Sequence, residues 1–265
     1  MVTTPSITLV DTHAHLVGEE FDTDRDEVFA RAHDAGVTTI ITVGTSVGSG
    51  RRSIELSEKH PGILVAVGVH PHGASTATGA DIKGIARLAM HEKVVAIGEI
   101  GLDFYRDYSP RESQLQVFQQ QLDLAARLDM PVVIHCRQAH EEMLAILQDW
   151  TLRLPERPSP GVIHCYMGDM ETTRQYLEMG FHLSLGGYIT YPINRDAHDV
   201  IRSIPADRLM VETDCPFLTP QPYRSRRNEP AYVRYTAEEL SKIRGVPLEM
   251  LAGETTENAR RLFGW

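Results

Sequence analysis

A short run of apolar and β-branched residues, a polar bend and an amphipathic stretch follow one another eight times along this chain, and few architectures accept that order. The runs are residues 7–16 (ITLVDTHAHL), 37–43 (VTTIITV), 63–69 (ILVAVGV), 94–100 (VVAIGEI), 131–136 (PVVIHC), 161–166 (GVIHCY), 181–187 (FHLSLGG) and 208–215 (RLMVETDC). Most are nearly continuous in apolar residues up to a polar end, as strands covered on both faces of a parallel sheet must be. Helices are expected between them over 24–35, 50–60, 81–91, 138–149, 169–179, 195–203 and 230–243, with two short ones near 247–252 and 255–263. The sharpest helix start is Ser109-Pro110-Arg111-Glu112, with an N-cap serine, a first-turn proline and a capping-box glutamate. Leu115, Phe118, Leu122 and Ala125 then return at helical spacing on one apolar face. The Pro-rich segment 152–160 reads as the loop entering the sixth strand. This order predicts an α/β fold, a single (β/α)8 TIM-type barrel in preference to an open doubly wound sheet. At 265 residues the chain suits one domain over 1–265.

Polar residues that are uncommon in buried strands fall at the carboxyl ends of the first, fourth, fifth, sixth and eighth runs: His13 and His15, Glu99, His135, His164 and Asp214. In a barrel, active sites are built at that end. His13 and His15 are two apart and so share a face. Imidazole and carboxylate together suit Mg²⁺, Mn²⁺, Fe²⁺ or Zn²⁺ without a thiolate. Six ligands exceed what one catalytic ion with an open position takes, and suit two ions that share a carboxylate. The expected division gives His13, His15 and Asp214 to one divalent ion and His135 and His164 to the other, with Glu99 bridging. A water acidified there is the expected nucleophile, with Asp214 accepting its proton. A set of merely structural core histidines would not fall at corresponding strand ends. Glu212, two before Asp214, is expected to orient a ligand imidazole and not to bind metal itself. Cys136, Cys165 and Cys215 each follow a proposed ligand by one residue and are expected to pack outward beneath the helices.

Composition narrows the class. The chain is 42% hydrophobic and 23% charged, ordinary for a globular protein with a sizeable core. Three cysteines make no disulfide framework, which favours a reducing, cytoplasmic setting. No run is long enough to span a bilayer, and MVTTPSITLV carries no basic-then-apolar secretory pattern. The net charge of −10 argues against coating long nucleic acid through general electrostatics. It does not exclude a nuclease, because two divalent cations add local positive charge where a phosphate would sit.

The segments DTHAHL (11–16), GVHPH (68–72), GEIGLDFYR (98–106), PVVIHCR (131–137), VIHCYMG (162–168), VETDCPFLTP (211–220), RSRRNEP (224–230) and ENARRLFGW (257–265) together resemble the TatD family of metal-dependent deoxyribonucleases, amidohydrolase-like barrels, from end to end. The resemblance carries the family's ligand positions onto His13, His15, Glu99, His135, His164 and Asp214, the residues already selected by position. It implies a two-metal phosphodiesterase, typically with Mg²⁺, that removes nucleotides from DNA ends and acts on single strands. Related dinuclear amidohydrolases often bridge with a modified lysine; Glu99 makes that unnecessary here. Tyr166-Met167 stands where the family more often shows Phe-Ser, a departure expected beside the substrate.

Substrate-facing candidates follow. His70 is weighed as a phosphate contact or an outer partner of a ligand against a structural role, and His72 is expected as a loop residue. Arg137 and Arg224 are expected to hold phosphate oxygens, with a rim salt bridge as the alternative for each. Tyr105 and Tyr188 are weighed as base-stacking residues against plain packing. Asn228 and Glu229 are expected to cap the following helix. The substrate is expected to be short or single-stranded DNA ends and the protein a monomer. The same ligands would also serve an amide or ester hydrolase, including a D-aminoacyl-tRNA deacylase, since neither phosphate nor carbonyl specificity is written in them. A non-catalytic metal-binding scaffold is the third possibility.

Overall fold

The computed structural model describes residues 7–265 except Asp107, Glu156, Pro158 and Pro222. Most of the N-terminal stretch weighed as a secretory signal, and two positions of the 152–160 loop, lie outside the described residues. Among the described residues, strands β1 (Leu9–Ala14), β2 (Val37–Gly44), β3 (Ile63–Val67), β4 (Val94–Asp103), β5 (Val132–Arg137), β6 (Gly161–Ile163), β7 (His182–Leu185) and β8 (Leu209–Val211) form one sheet in chain order. Each strand pairs in parallel with the next. Helices α1 (Arg25–Asp34), α2 (Val47–Lys59), α3 (Gly79–Leu88), α4 (Arg111–Leu128), α5 (His140–Leu152), α6 (Met170–Glu178), α7 (His198–Ser203), α8 (Val233–Arg244) and α9 (Leu248–Phe263) cover its outside. The sheet curls into the expected (β/α)8 barrel. Its seam is joined just past β8: Ala14 bridges Cys215, Asp214 N–H donates to His13 O (2.9 Å) and His15 N–H donates to Cys215 O (2.8 Å).

Two apolar layers hold the barrel. Outward residues of the strands, such as Val65, Ile97, Ile134 and Leu183, pack with helix residues such as Phe118, Leu122 and Leu147. Inward residues, Val10, Ile41, Ala66, Ala96, Val133 and Met210 among them, fill the lower barrel together with Phe263 of α9. Strand alternation then fixes which later residues face in. On β5 the inward step runs from Val133 to His135, on β6 from Val162 to His164, and after β8 from Met210 through Glu212 to Asp214.

β4 and β1 break this alternation. With Ala96 inward, an ideal β4 would turn Glu99 out; a register shift against β5 between Gly98 and Ile100 inserts one residue and turns it in. In the same way β1 slips against β2 between Asp11 and Ala14, which brings His13 in although Val10 already faces the interior. β4 also runs on to Asp103, so Glu99 sits within the strand and not at its end as expected. Gly101 makes that approach possible: its φ is +144°, and a Cβ there would overlap the His135 carbonyl oxygen.

Other boundaries moved for local reasons. Pro110, not Ser109, is the N-cap of α4. The Ser109 hydroxyl instead donates to His72 O (2.8 Å) and accepts from Ser75 N–H (3.0 Å), tying two catalytic-end loops. The two short terminal helices are one, α9, which runs through Gly253 without a break. Among the described residues no helix is long and apolar enough to cross a membrane.

Candidate metal centre

Six side chains from five strand ends meet around the Glu99 carboxylate, and its two oxygens face different partners. Oε2 lies 3.5 Å from His13 Nε2 and 3.7 Å from His15 Nε2. Asp214 Oδ1 completes that side, 3.3 Å from His15 Nε2 and 3.7 Å from His13 Nε2. Oε1 lies 2.9 Å from His135 Nδ1, 3.0 Å from His164 Nε2 and 3.3 Å from His70 Nε2. His13 and His164 stack with ring centroids 3.9 Å apart, so the two sides form one continuous centre. Among the described residues, three groups have ligand atoms all within 4.8 Å of one another: His13–Glu99–His164, His13–His15–Asp214 and His70–Glu99–His135.

The donor chemistry of this centre fits divalent cations. His164 faces carboxylates at both nitrogens, Glu212 Oε1 at Nδ1 (3.2 Å) and Glu99 Oε1 at Nε2 (3.0 Å); a neutral ring has one proton for the two, so one contact sets lone pair against lone pair. His13 Nε2 and His15 Nε2 are 3.3 Å apart, and at most one can donate to the other. Lone pairs facing one another across a buried pocket repel unless a cation or extra protons lie among them. The titration directions say the same. Burial opposes charge on His164, but Glu99 and Glu212 outweigh it and push its pKa well above the usual imidazole value. Burial likewise opposes charge on His15 and His135, yet Asp214 and Glu99 raise the first, and Asp103 and Glu99 the second. For Glu99 and Asp214 burial favours the neutral acid, but the surrounding imidazoles hold both below the ordinary carboxylate range. His13, the most enclosed imidazole, is instead lowered, by burial and by the neighbouring His164.

Glu212 also accepts the Cys165 N–H at 2.6 Å, which anchors the chain right after His164. Asp214 has φ +55°, a left-handed conformation that aspartate tolerates better than most residues. Burial keeps the Cys136, Cys165 and Cys215 thiols protonated, Cys136 at about 12, and Cys136 Sγ sits beneath α5, 3.3 Å from His140 Nδ1.

His70 lies closer to the centre than a substrate contact at the rim would. Its Nδ1 accepts the His72 N–H (3.1 Å), and burial lowers its pKa to about 4. Arg137 stacks on the exposed Tyr105 ring at 4.0 Å and Arg224 on Tyr191 at 4.1 Å. Among the described residues neither arginine forms the rim salt bridge weighed for it. Tyr188 is not a stacking residue: it is 4% exposed and its hydroxyl donates to Tyr166 O. Tyr166 is buried too, its hydroxyl 2.7 Å from Thr173 Oγ1, so of the Tyr-Met pair only Met167 is exposed. Asn228 and Glu229 do not cap a helix through their side chains. Asn228 Nδ2 donates to Thr213 O at 2.9 Å, and Glu229 receives Arg31 through both oxygens at 2.8 and 2.7 Å.

The roles of two buried carboxylates were not read from the sequence. Asp11 accepts Thr213 N–H (2.9 Å), Thr213 Oγ1–H (2.6 Å) and His13 N–H (3.3 Å), lacing β1 to the residues before Asp214. Asp103 lies beneath His72 and His135. The available signal was that both stand inside the DTHAHL and GEIGLDFYR segments, within four residues of a ligand.

The family described as TatD related DNase matches residues 10–264. A Bacillus subtilis (strain 168) protein, named uncharacterized metal-dependent hydrolase YabD, is 43% identical over 255 residues, spanning 96% of this chain and 98% of its own. A Pantoea ananatis (strain LMG 20103) protein named 3'-5' ssDNA/RNA exonuclease TatD is 39% identical over 262 residues, 97% of this chain and 99% of its own. The crystal structure of the TatD homologue YJJV from Escherichia coli K12 superposes with a TM-score of 0.91 at 29% identity, covering 98% of this chain and 99% of that one. With the fold, the ligand geometry and these likenesses in agreement, the chain belongs to the TatD related DNase family of metal-dependent hydrolases.

Proposed function

We propose that this protein is a two-metal exonuclease that hydrolyses phosphodiester bonds at the ends of single-stranded DNA, with one domain over 1–265 acting as a monomer. The observation that carries the reading is the divided carboxylate: Glu99 Oε2 serves the His13 and His15 side while Oε1 serves His135 and His164. In this reading His13, His15 and Asp214 hold one ion, His135 and His164 the other, and Glu99 both. Mg²⁺ is the working ion, and Mn²⁺ or Zn²⁺ suits the same donors. Bound there, divalent cations neutralise phosphate charge and acidify water.

The chain's own groups then have distinct tasks. Asp214 Oδ1, ionised because the imidazoles hold its pKa low, accepts the proton of an attacking water. His70 accepts a backbone N–H on Nδ1, so its neutral ring carries the proton on Nε2, which faces Glu99 Oε1 at 3.3 Å and would turn to a phosphate oxygen only once substrate is bound. Arg137 and Arg224 bind flanking phosphates. The relatives named as 3'-5' ssDNA/RNA exonucleases support a single strand digested from its 3' end. The net charge of −10 supports short or single-stranded ends over long duplexes.

The test is digestion of 5'-labelled single-stranded DNA by chelator-stripped protein resupplied with Mg²⁺ or Mn²⁺, beside a panel of esters, amides and aminoacyl-RNA. A ladder of shortened strands is expected. No product with any metal, while a control nuclease works, overturns the nuclease reading; turnover of the ester or amide arm alone reassigns the site to carbonyl hydrolysis.

A further inference from the structure

Asp103 ends β4 and is 1% exposed, yet it is fully hydrogen-bonded. Its Oδ1 accepts the N–H groups of Tyr105 (3.0 Å) and Arg106 (2.9 Å). Its Oδ2 lies 3.1 Å from His135 Nε2 and 2.8 Å from His72 Nε2. Gln114 of α4 grips its backbone, accepting Asp103 N–H at 2.8 Å and donating to Asp103 O at 3.0 Å. The carboxylate is therefore held from a helix behind it and aimed at one imidazole of the centre.

A neutral imidazole has one N–H and one lone pair, and a carboxylate offers only acceptors. His135 faces carboxylates at both nitrogens, Asp103 Oδ2 at Nε2 (3.1 Å) and Glu99 Oε1 at Nδ1 (2.9 Å); were a metal held on the Glu99 side, the Asp103 contact would keep the ring's proton on Nε2. The lone pair is then left on Nδ1, which also lies 3.4 Å from His164 Nε2. His164 is held the other way round, with Nδ1 on Glu212 and Nε2 in the centre. Two carboxylates thus select opposite nitrogens on neighbouring rings.

We propose that Asp103 is a positioning residue: it fixes His135 in the Nε2-protonated tautomer for binding a metal through Nδ1, and couples that ligand to His72. Because His72 shares the same Oδ2 and stands in the 3-10 turn Pro71–Thr76, the turn carrying the His70 cap and one half of the centre are set by one carboxylate. This inference rests on the metal-centre reading above. Outer carboxylates of this kind typically change metal affinity ~10–100-fold.

The test uses full-length protein labelled with ¹⁵N at histidine and zinc alone as the probe. Long-range ¹H–¹⁵N spectra, assigned with His135→Gln, are expected to show His135 protonated on Nε2 with zinc on Nδ1. Zinc on His135 Nε2 overturns the proposal. Zinc titration of Asp103→Asn is expected to weaken one of two binding steps by ~10–100-fold and leave the other within about twofold, because an amide can donate to Nε2 and favour the opposite tautomer. Two unchanged steps, or two equally weakened ones, overturn it. If Asp103→Asn does not fold by circular dichroism, the wild-type spectra decide alone. Wild-type protein that binds no zinc sinks the metal-centre reading itself, a result separate from zinc bound through the wrong nitrogen.

Discussion

The backbone N–H of Asp214 donates to the carbonyl oxygen of His13 at 2.9 Å, so the bond that joins the last strand to the first also sets the distance between two proposed ligands. The barrel seam and half of the metal centre are the same piece of structure. Asp11 reinforces it from below, accepting from His13 on one side of the seam and Thr213 on the other. Stability and ligand geometry are coupled at this point, and most of the expected behaviour follows from that.

Asp11→Ala removes the acceptor for two Thr213 donors and the His13 N–H in a fully buried place. Each stranded donor costs ~1–3 kcal/mol, so urea denaturation of the metal-free protein is expected to show a loss in that range or above. Isothermal titration should show weakened metal binding as well. Unaltered midpoint and affinity would mean that Asp11 does not hold the seam.

Glu99→Gln keeps the side-chain volume and removes the charge shared by the two sides of the centre. Bound metal, measured by elemental analysis after gel filtration, is expected to fall below wild type. Hydrolysis should drop by more than about 100-fold, beyond the loss typical of an outer partner. Full metal content with full activity would refute the bridging role.

Gly101→Ala places a Cβ against the His135 carbonyl oxygen at a φ of +144°. Alanine at positive φ costs more than ~1 kcal/mol, and here β4 must also move away from β5. A lowered melting temperature with reduced metal affinity is expected; a wild-type melting curve would show that β4 accommodates the methyl group.

Arg137→Ala tests the rim. The side chain is exposed and, among the described residues, stacks on Tyr105, so stability should change by less than about 0.5 kcal/mol. Loss of a phosphate contact made equally in ground and transition states raises KM and leaves kcat nearly intact. Initial rates over a range of oligonucleotide concentrations distinguish this from a fall in kcat.

His182 gives a pH dependence away from the centre. Burial, helped by the charges of Arg208 and Arg261, lowers its pKa from 6.5 to about 4. Between those values the unfolded chain takes up a proton that the folded chain refuses, so stability falls as pH falls, by at most ~1.4 kcal/mol per pH unit. Comparing urea midpoints at pH 7 and pH 5, wild type is expected to lose more stability than His182→Gln. Equal losses would assign the acid sensitivity to other groups.

The sequence by itself determined the barrel and named the candidate ligands. Eight buried runs alternating with amphipathic stretches leave little choice of architecture, and histidines and acids at the ends of such runs are visible without knowing how the runs pack. Glu212 was legible for the same reason, two residues from Asp214 on one strand face. Only the tertiary structure decided how those residues meet. The shifts at Glu99 in β4 and after Asp11 in β1 arise from pairing with other strands, and without them alternation would turn Glu99 outward. The roles of Asp103 and Asp11 were not legible because their partners, His72 and His135 for one and Thr213 for the other, are distant in sequence. The nitrogen that each imidazole presents was undecided for the same reason: a ring's proton goes to whichever side meets an acceptor, and folding supplies that acceptor.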